Sequence, residues 1–278
     1  MVSVTGCGKI FIYFSQPLFD DLSSSFMRQR DVVLAEQGIP AFLLFLDGLI
    51  EHSPGNKSLL LTGASAYSAY TSAFVGEKYP ERNKILAAKA KDYAFRALSL
   101  QNRKFARMKN EPYSGFVTTL PSFRKRDVPY LYYAATTWAG WIQANSESWD
   151  ALADLPKVKS LIERIIELDE SFNYGAPHTF MGIMLTIYPP SLGGKPDEAR
   201  EHFERAIELG QGKFLPTYVM YANYYAKMVY EKNLFFDLLS RVLDSPVDAV
   251  PELTLINSLA QQQARDLIEE ARKEEYFD

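Results

Sequence analysis

Four short runs in this sequence hold residue types that could carry out chemistry. Val4-Thr5-Gly6-Cys7 ends in the only cysteine of the chain. Small residues before a cysteine let the backbone enter a signal peptidase, after which the thiol takes a lipid. Only six residues precede Cys7, and they include no basic start and no apolar run. Two readings stay open: the start lies further upstream and Cys7 is the lipid-attachment residue, or Cys7 is an ordinary terminal thiol. A single cysteine excludes an intrachain disulfide.

The other runs fall short of the chemistry they resemble. Gly6-Cys7-Gly8-Lys9 ends like a phosphate-binding loop, but Ser3 stands where its first glycine belongs and Ile10 where Ser or Thr would follow the lysine. Gly193-Gly194-Lys195-Pro196 opens a helix, and helix N-termini attract anions. Asp197 and Glu198 already complement the dipole there, which leaves a tight turn and a helix start. Gly63-Ala64-Ser65-Ala66-Tyr67 lacks the second glycine of a serine nucleophile elbow. His52, His178 and His202 lie far apart in sequence, and one cysteine gives no zinc framework. Paired acids such as Glu269 and Glu270 belong to a charged terminal helix, where solvation explains them. The sequence predicts no catalytic residue, no metal, no cofactor and no enzyme.

What it does carry is apolar surface in a helical pattern. Ala199, Phe203 and Ala206 have the small–aromatic–small spacing of the second helix in a tetratricopeptide-like (TPR-like) hairpin. Helix pairs with the same logic extend along the chain: 57–74 with 83–100, 128–143 with 155–168, 177–188 with 196–209, and 216–230 with 234–243. Gly63, Ala66, Tyr67, Tyr70 and Phe74 form one small-then-aromatic stripe, and Leu131, Tyr132, Ala135, Trp138, Ala139 and Ile142 another. Residues 29–37 and 39–52 read as two helices parted by Gly38 and Pro40, and 102–126 as a long connection. A polar last helix, 251–272, is expected to cap an open end of the array. The fold expected is all-α, a TPR-like α-solenoid of about four cryptic hairpins with extra N-terminal helices. Residues 1–28 form a tether with a short helix, and 29–278 one domain.

Composition narrows the function. With 47% hydrophobic residues, the chain can bury a large core. A net charge of −4 with dispersed Lys and Arg argues against nucleic acid as a partner. No run of eighteen consecutive apolar residues occurs, which predicts no membrane-spanning helix. Aromatics make up 14%, more than the inner face of each hairpin needs. The surplus on the first helix of each pair nominates a ligand or pore lining of Tyr67, Tyr70, Phe74, Trp138, Trp141, Phe180, Tyr188, Tyr221 and Tyr225.

Several segments together resemble the T component associated with TRAP transporters, a family of TPR-like periplasmic lipoproteins. They are Phe42-Leu43-Leu44-Phe45-Leu46-Asp47-Gly48-Leu49-Ile50, the helix 64–75, Asp127-Val128-Pro129 with Ala134–Ile142, and Asp154-Leu155-Pro156-Lys157-Val158. Tyr174-Gly175-Ala176-Pro177-His178, Pro189-Pro190-Ser191-Leu192-Gly193-Gly194 and the helix through Ala206 complete the set. The resemblance runs from about 37 to 265. It implies lipidation at Cys7, a periplasmic location and membrane contact through that anchor alone. It also implies a homo-oligomer, a trimer, enclosing an apolar channel or pocket. The implied partners are the substrate-binding P component of a TRAP transporter and a hydrophobic small molecule. Gln211 replaces the proline that often ends a TPR hairpin. A generic TPR scaffold gripping a peptide or protein partner is the alternative.

Overall fold

Residues 21–277 are described by a computed structural model, and among them there is no β-strand. Cys7 and most of the expected tether lie outside the described residues. Residues 21–27 are helical, and ten of the helices that follow build the frame. They are α1 Val32–His52, α2 Lys57–Tyr70, α3 Pro80–Gln101, α4 Val128–Ala144 and α5 Leu155–Asp169. Then come α6 Phe172–Thr186, α7 Pro196–Leu209, α8 Pro216–Met220, α9 Lys232–Asp244 and α10 Thr254–Lys273.

Local chemistry sets these boundaries. The Asp31 carboxylate accepts from Leu34 N–H at 3.0 Å and the Asn56 amide oxygen from Ser58 and Leu59 N–H, each satisfying donors that have no intrahelical acceptor. Pro80, Pro196 and Pro216 each open a helix, where a missing N–H removes nothing. Pro40 behaves differently from expectation. It lies inside one continuous α1, and residues 29–52 do not split in two. A proline there forfeits one backbone hydrogen bond, but Ala35, Phe42, Leu43 and Leu46 on both sides of it are buried in the core and hold the helix together. The connection 102–126 folds into short turns of its own, Arg103–Met108, Tyr113–Phe116 and the 3-10 turn Val117–Ser122. These insert Phe105, Phe116 and Phe123 into the core.

Consecutive helices pack side by side: α1 on α2, α2 on α3, and so on through α4, α5, α6 and α7, then the α8 segment on α9 and α9 on α10. Two apolar cores result, a smaller one shared by α1, α2 and α3, and a larger one running from the end of α3 to α10. Tyr130 of α4 packs against both. The last helix has a contact beyond its neighbours in sequence. It touches α1, while Arg28 pairs with Glu252 at 2.6 Å and Arg30 with Asp248 at 3.6 Å. Periodicity within each helix is silent about the curvature accumulated over ten of them, so this return to the start was not readable. α1 also has the length and composition of a membrane span, with a mean hydropathy of 1.6 over its apolar window. Glu36 and Asp47 interrupt its apolar run, which is why a search for unbroken runs passes over it. Its inner face, including Phe42, Leu43, Leu46 and Ile50, belongs to the core.

The α6–α7 pair is held by a polar chain at its edge. Glu170 accepts from Arg205 and from His178 Nε2–H at 3.1 Å, which leaves His178 Nδ1 to accept from His202 Nδ1–H at 2.8 Å. Burial pulls the pKa of both imidazoles down. For His178, Glu170 opposes this and Arg205 reinforces it. For His202, His178 and Lys159 reinforce it and Glu198 opposes it. Both rings cannot charge together without setting two N–H groups against each other. Lowered folded pKa values favour the neutral rings, so their contribution is fully present above about pH 6.5 and is lost as pH falls below it. Glu170, pulled down to about 2 chiefly by Arg205, loses its own contribution only below the ordinary carboxylate range. Thermal melting should therefore weaken between pH 7 and pH 5, and His202→Gln should flatten that slope. An unchanged slope in the variant would remove the pair from the account.

Candidate functional site

The nine nominated aromatics fall into four groups on different helices. In the first, the Tyr67 hydroxyl donates to Asp47 at 2.7 Å, as does Tyr93, and Lys89 adds an ion pair to the same carboxylate. Burial, followed by the hydrogen bond to Asp47, raises both tyrosine pKa values. The Tyr70 hydroxyl accepts from Arg82 at 3.2 Å, and its ring lies 5.6 Å from Phe74. Tyr67 and Tyr70 are buried and Phe74 partly so.

The second group lies just past the end of α8. Tyr221 stacks on Phe203 of α7 with centroids 4.9 Å apart and planes 12° from parallel, and Tyr225 tilts against Tyr221 at 5.2 Å. Both rings are buried, and their polar ends meet charges: the Tyr221 hydroxyl reaches Glu204 at 3.3 Å, and Arg200 sits 5.9 Å from the Tyr225 ring. These tyrosines occupy a π-helical segment, Tyr221–Ala226, and a second one, Thr71–Val75, contains Phe74. Extra-wide turns of this kind recur at functional positions. Glu77, just past the second segment, lies close enough to Tyr224 to add to the upward pull of burial on its hydroxyl.

Phe180 and Tyr188 form the third group, toward the end of α6. Phe180 packs on the larger core, whereas Tyr188 is exposed beyond the helix.

The fourth group is on α4 and differs from the rest. Trp138 is buried between Phe95 at 5.0 Å and Phe116 at 5.8 Å, both edge-on, and its indole N–H has no acceptor among the described residues. Trp141, one turn on and partly exposed, carries the Lys91 ammonium 3.5 Å from its ring centroid. Lys91 has no carboxylate partner among the described residues. Lys157, on the other side of the group, is paired with Asp154 at 2.9 Å and lies 5.8 Å from the Trp138 ring. Burial pulls the Lys91 ammonium down to about 8, against a smaller upward pull from Asp154. Neither lysine was nominated from sequence. A lysine at position 91, i−4 to Phe95 on an alanine-rich helix, looks like a solvated face until α4 is seen lying over it.

A separate open groove of about 610 Å³ runs between α9 and α10, with Leu243 and Ile268 beside Arg265 and Arg272. None of the nine aromatics lines it. Among the described residues no group of three His, Cys, Asp or Glu side chains is placed to hold a metal ion.

Residues 28–277 match the TRAP transporter T-component family, and a match over nearly the whole chain places the protein in that family. Membership gives it an accessory role in a TRAP transport system. No curated protein matches the sequence.

Burial separates rings fixed in the core from rings on a partly open face. Tyr225→Ala, at a site 3% exposed, should cost about 3–5 kcal/mol in chemical denaturation. Trp141→Ala, on a partly open face, should cost about 1–2 kcal/mol, much of it the lost cation–π contact. Equal losses would mean that Trp141 is as much a core residue as Tyr225.

Proposed function

We propose that this T component is a non-enzymatic, periplasmic accessory protein that associates with the substrate-binding P component and holds or hands over a hydrophobic ligand. The observation that carries this reading is the return of the helical array to its own start. Contact between α10 and α1, with Arg28–Glu252 and Arg30–Asp248 across the same seam, favours an array that encloses an interior over one that offers an open concave face. Phe74, Trp141 and Phe180, only partly covered, are available to wall such an interior. Exposed apolar side chains such as Leu44 and Ile85 offer surface for the homo-oligomer, a trimer in this reading. The generic scaffold remains as a second reading because the α9–α10 groove, with Arg265 and Arg272 beside apolar side chains, has the mixed character suited to an acidic extended segment.

Co-elution of the purified chain with its cognate P component on size exclusion, repeated at low and high salt, tests the partner assignment. A complex should form at both, and two independent peaks throughout would overturn it. Anchoring is tested on its own. In a precursor carrying a secretion signal, Cys7→Ser should move the protein from the membrane to the soluble fraction. Unchanged membrane association would show that Cys7 holds no lipid.

A further inference from the structure

We propose that Lys91, Trp138 and Trp141 form a binding site for a small organic carboxylate carried on an apolar body. The inference rests on the reading that this protein holds a ligand, and it names the chemical class of that ligand. Three observations carry it. First, α3 places the Lys91 ammonium against three rings at the α3–α4 seam, 3.5 Å from the Trp141 centroid, 5.4 Å from Trp138 and 5.5 Å from Phe95. Charge removed from water needs a counter-charge or hydrogen-bond acceptors, and Lys91 has neither among the described residues. The ring contacts supply part of the compensation. Second, the carboxylate within its field, Asp154, is held at 2.9 Å by Lys157. Lys157 also lies against Trp138 and Phe116, so two ammonium groups meet one carboxylate and the group carries an excess positive charge. Third, the buried Trp138 indole N–H, on a ring that Lys91 flanks, has no acceptor either. Buried donors are rarely left without a partner.

One anion answers all three. A carboxylate oxygen at Lys91 accepts from the ammonium, neutralises the excess charge and brings an acceptor to the side of Trp138. The apolar body then lies along Trp141 and Phe95, both partly exposed at the α3–α4 seam. Neutral apolar molecules could use the same rings but would leave the ammonium as they found it. At neutral pH Lys91, pulled down by burial to about 8, is still mostly protonated, so the site is charged when its ligand arrives.

Octanoate, octan-1-ol and octylamine share a chain and differ in the head, so they serve as probes. The third tryptophan, Trp149, is 85% exposed, and Trp149→Phe gives a background in which fluorescence reports only Trp138 and Trp141. On that background octanoate, below its micelle-forming concentration, should change the emission saturably. Octan-1-ol should bind at least about tenfold more weakly, and octylamine more weakly still. Lys91→Met, which keeps the apolar stem, should lose octanoate affinity by about tenfold or more, while Lys91→Arg retains it. Circular dichroism of each variant checks the fold. If Lys91→Met does not fold, the comparison of octanoate with octan-1-ol on the Trp149→Phe protein decides alone. Octan-1-ol binding as tightly as octanoate would overturn the carboxylate site while leaving an apolar ligand in place. No saturable response to octanoate, or full affinity in Lys91→Met, would overturn it outright. Failure to co-elute with the P component strikes the partner assignment and leaves this titration unaffected.

Discussion

Close approach between helices, made possible where one helix offers a hydrogen and its neighbour a ring, is the constraint on which this structure depends. A Cβ on Gly63 of α2 would stand 2.9 Å from the Tyr93 ring of α3 and 2.8 Å from Ile50 of α1, so three helices meet at one missing methyl group. Gly182 of α6 does the same for Phe203 of α7, where a Cβ would come within 2.7 Å of the ring. The Phe203 ring is also stacked on Tyr221, just past α8, which limits how far it can shift. Overpacking a filled core costs about 1–3 kcal/mol where neighbours cannot relax, so these two positions fix the spacing of α1–α3 and of α6–α8. Ala90, Ala94 and Ala97 on α3, and Ala199 and Ala206 on α7, extend the same logic along the helices.

Once the helices are this close, most polar groups between them must be matched one to one. Asn257, 1% exposed, accepts from Leu215 N–H and donates to the Lys213 and Val247 carbonyls, tying α10 to the start of α8. Thr179 and Thr217 share a hydrogen bond at 2.9 Å between α6 and α8. Asp47 takes three donors from two helices. Each arrangement replaces lost hydration with a specific partner, and each ties elements that are not adjacent in sequence. The α3–α4 seam is built to a different rule: its ammonium rests on aromatic faces and its indole N–H on nothing.

Much of the local structure was legible because it follows from local rules. The Ala199–Phe203–Ala206 spacing lies in α7 with all three residues buried, and prolines at 80, 196 and 216 mark helix starts. Pro40 misled for an equally physical reason: burial on both sides outweighs one lost hydrogen bond, and burial is a tertiary fact. The φ values of Asn173, Tyr174 and Gly175, all between 47° and 78°, put a left-handed kink where a simple helix start was expected at Pro177. Glycine and asparagine favour such a conformation, but a tyrosine between them gives no sign of it. The contact of α10 with α1 depends on the sum of many small crossing angles, and no single segment records it.

The site itself was half legible. Aromatic residues stand out in a sequence, but a ring conveys little about its role, because the same stripe serves a core or a cavity wall. Five of the nine nominated rings, Tyr67, Tyr70, Trp138, Tyr221 and Tyr225, are buried among the chain's own side chains. Lysine is the opposite case, inconspicuous in a sequence and informative in a fold. Its stem is apolar enough to be drawn into a seam, yet its head keeps demanding an acceptor once there. Where the seam provides one, as Asp154 does for Lys157, the pair closes on itself and nothing further is asked of a ligand. Where it provides only rings, as for Lys91, the unmet demand points outward. The group left without its complement therefore says more about what binds than the number of rings around it.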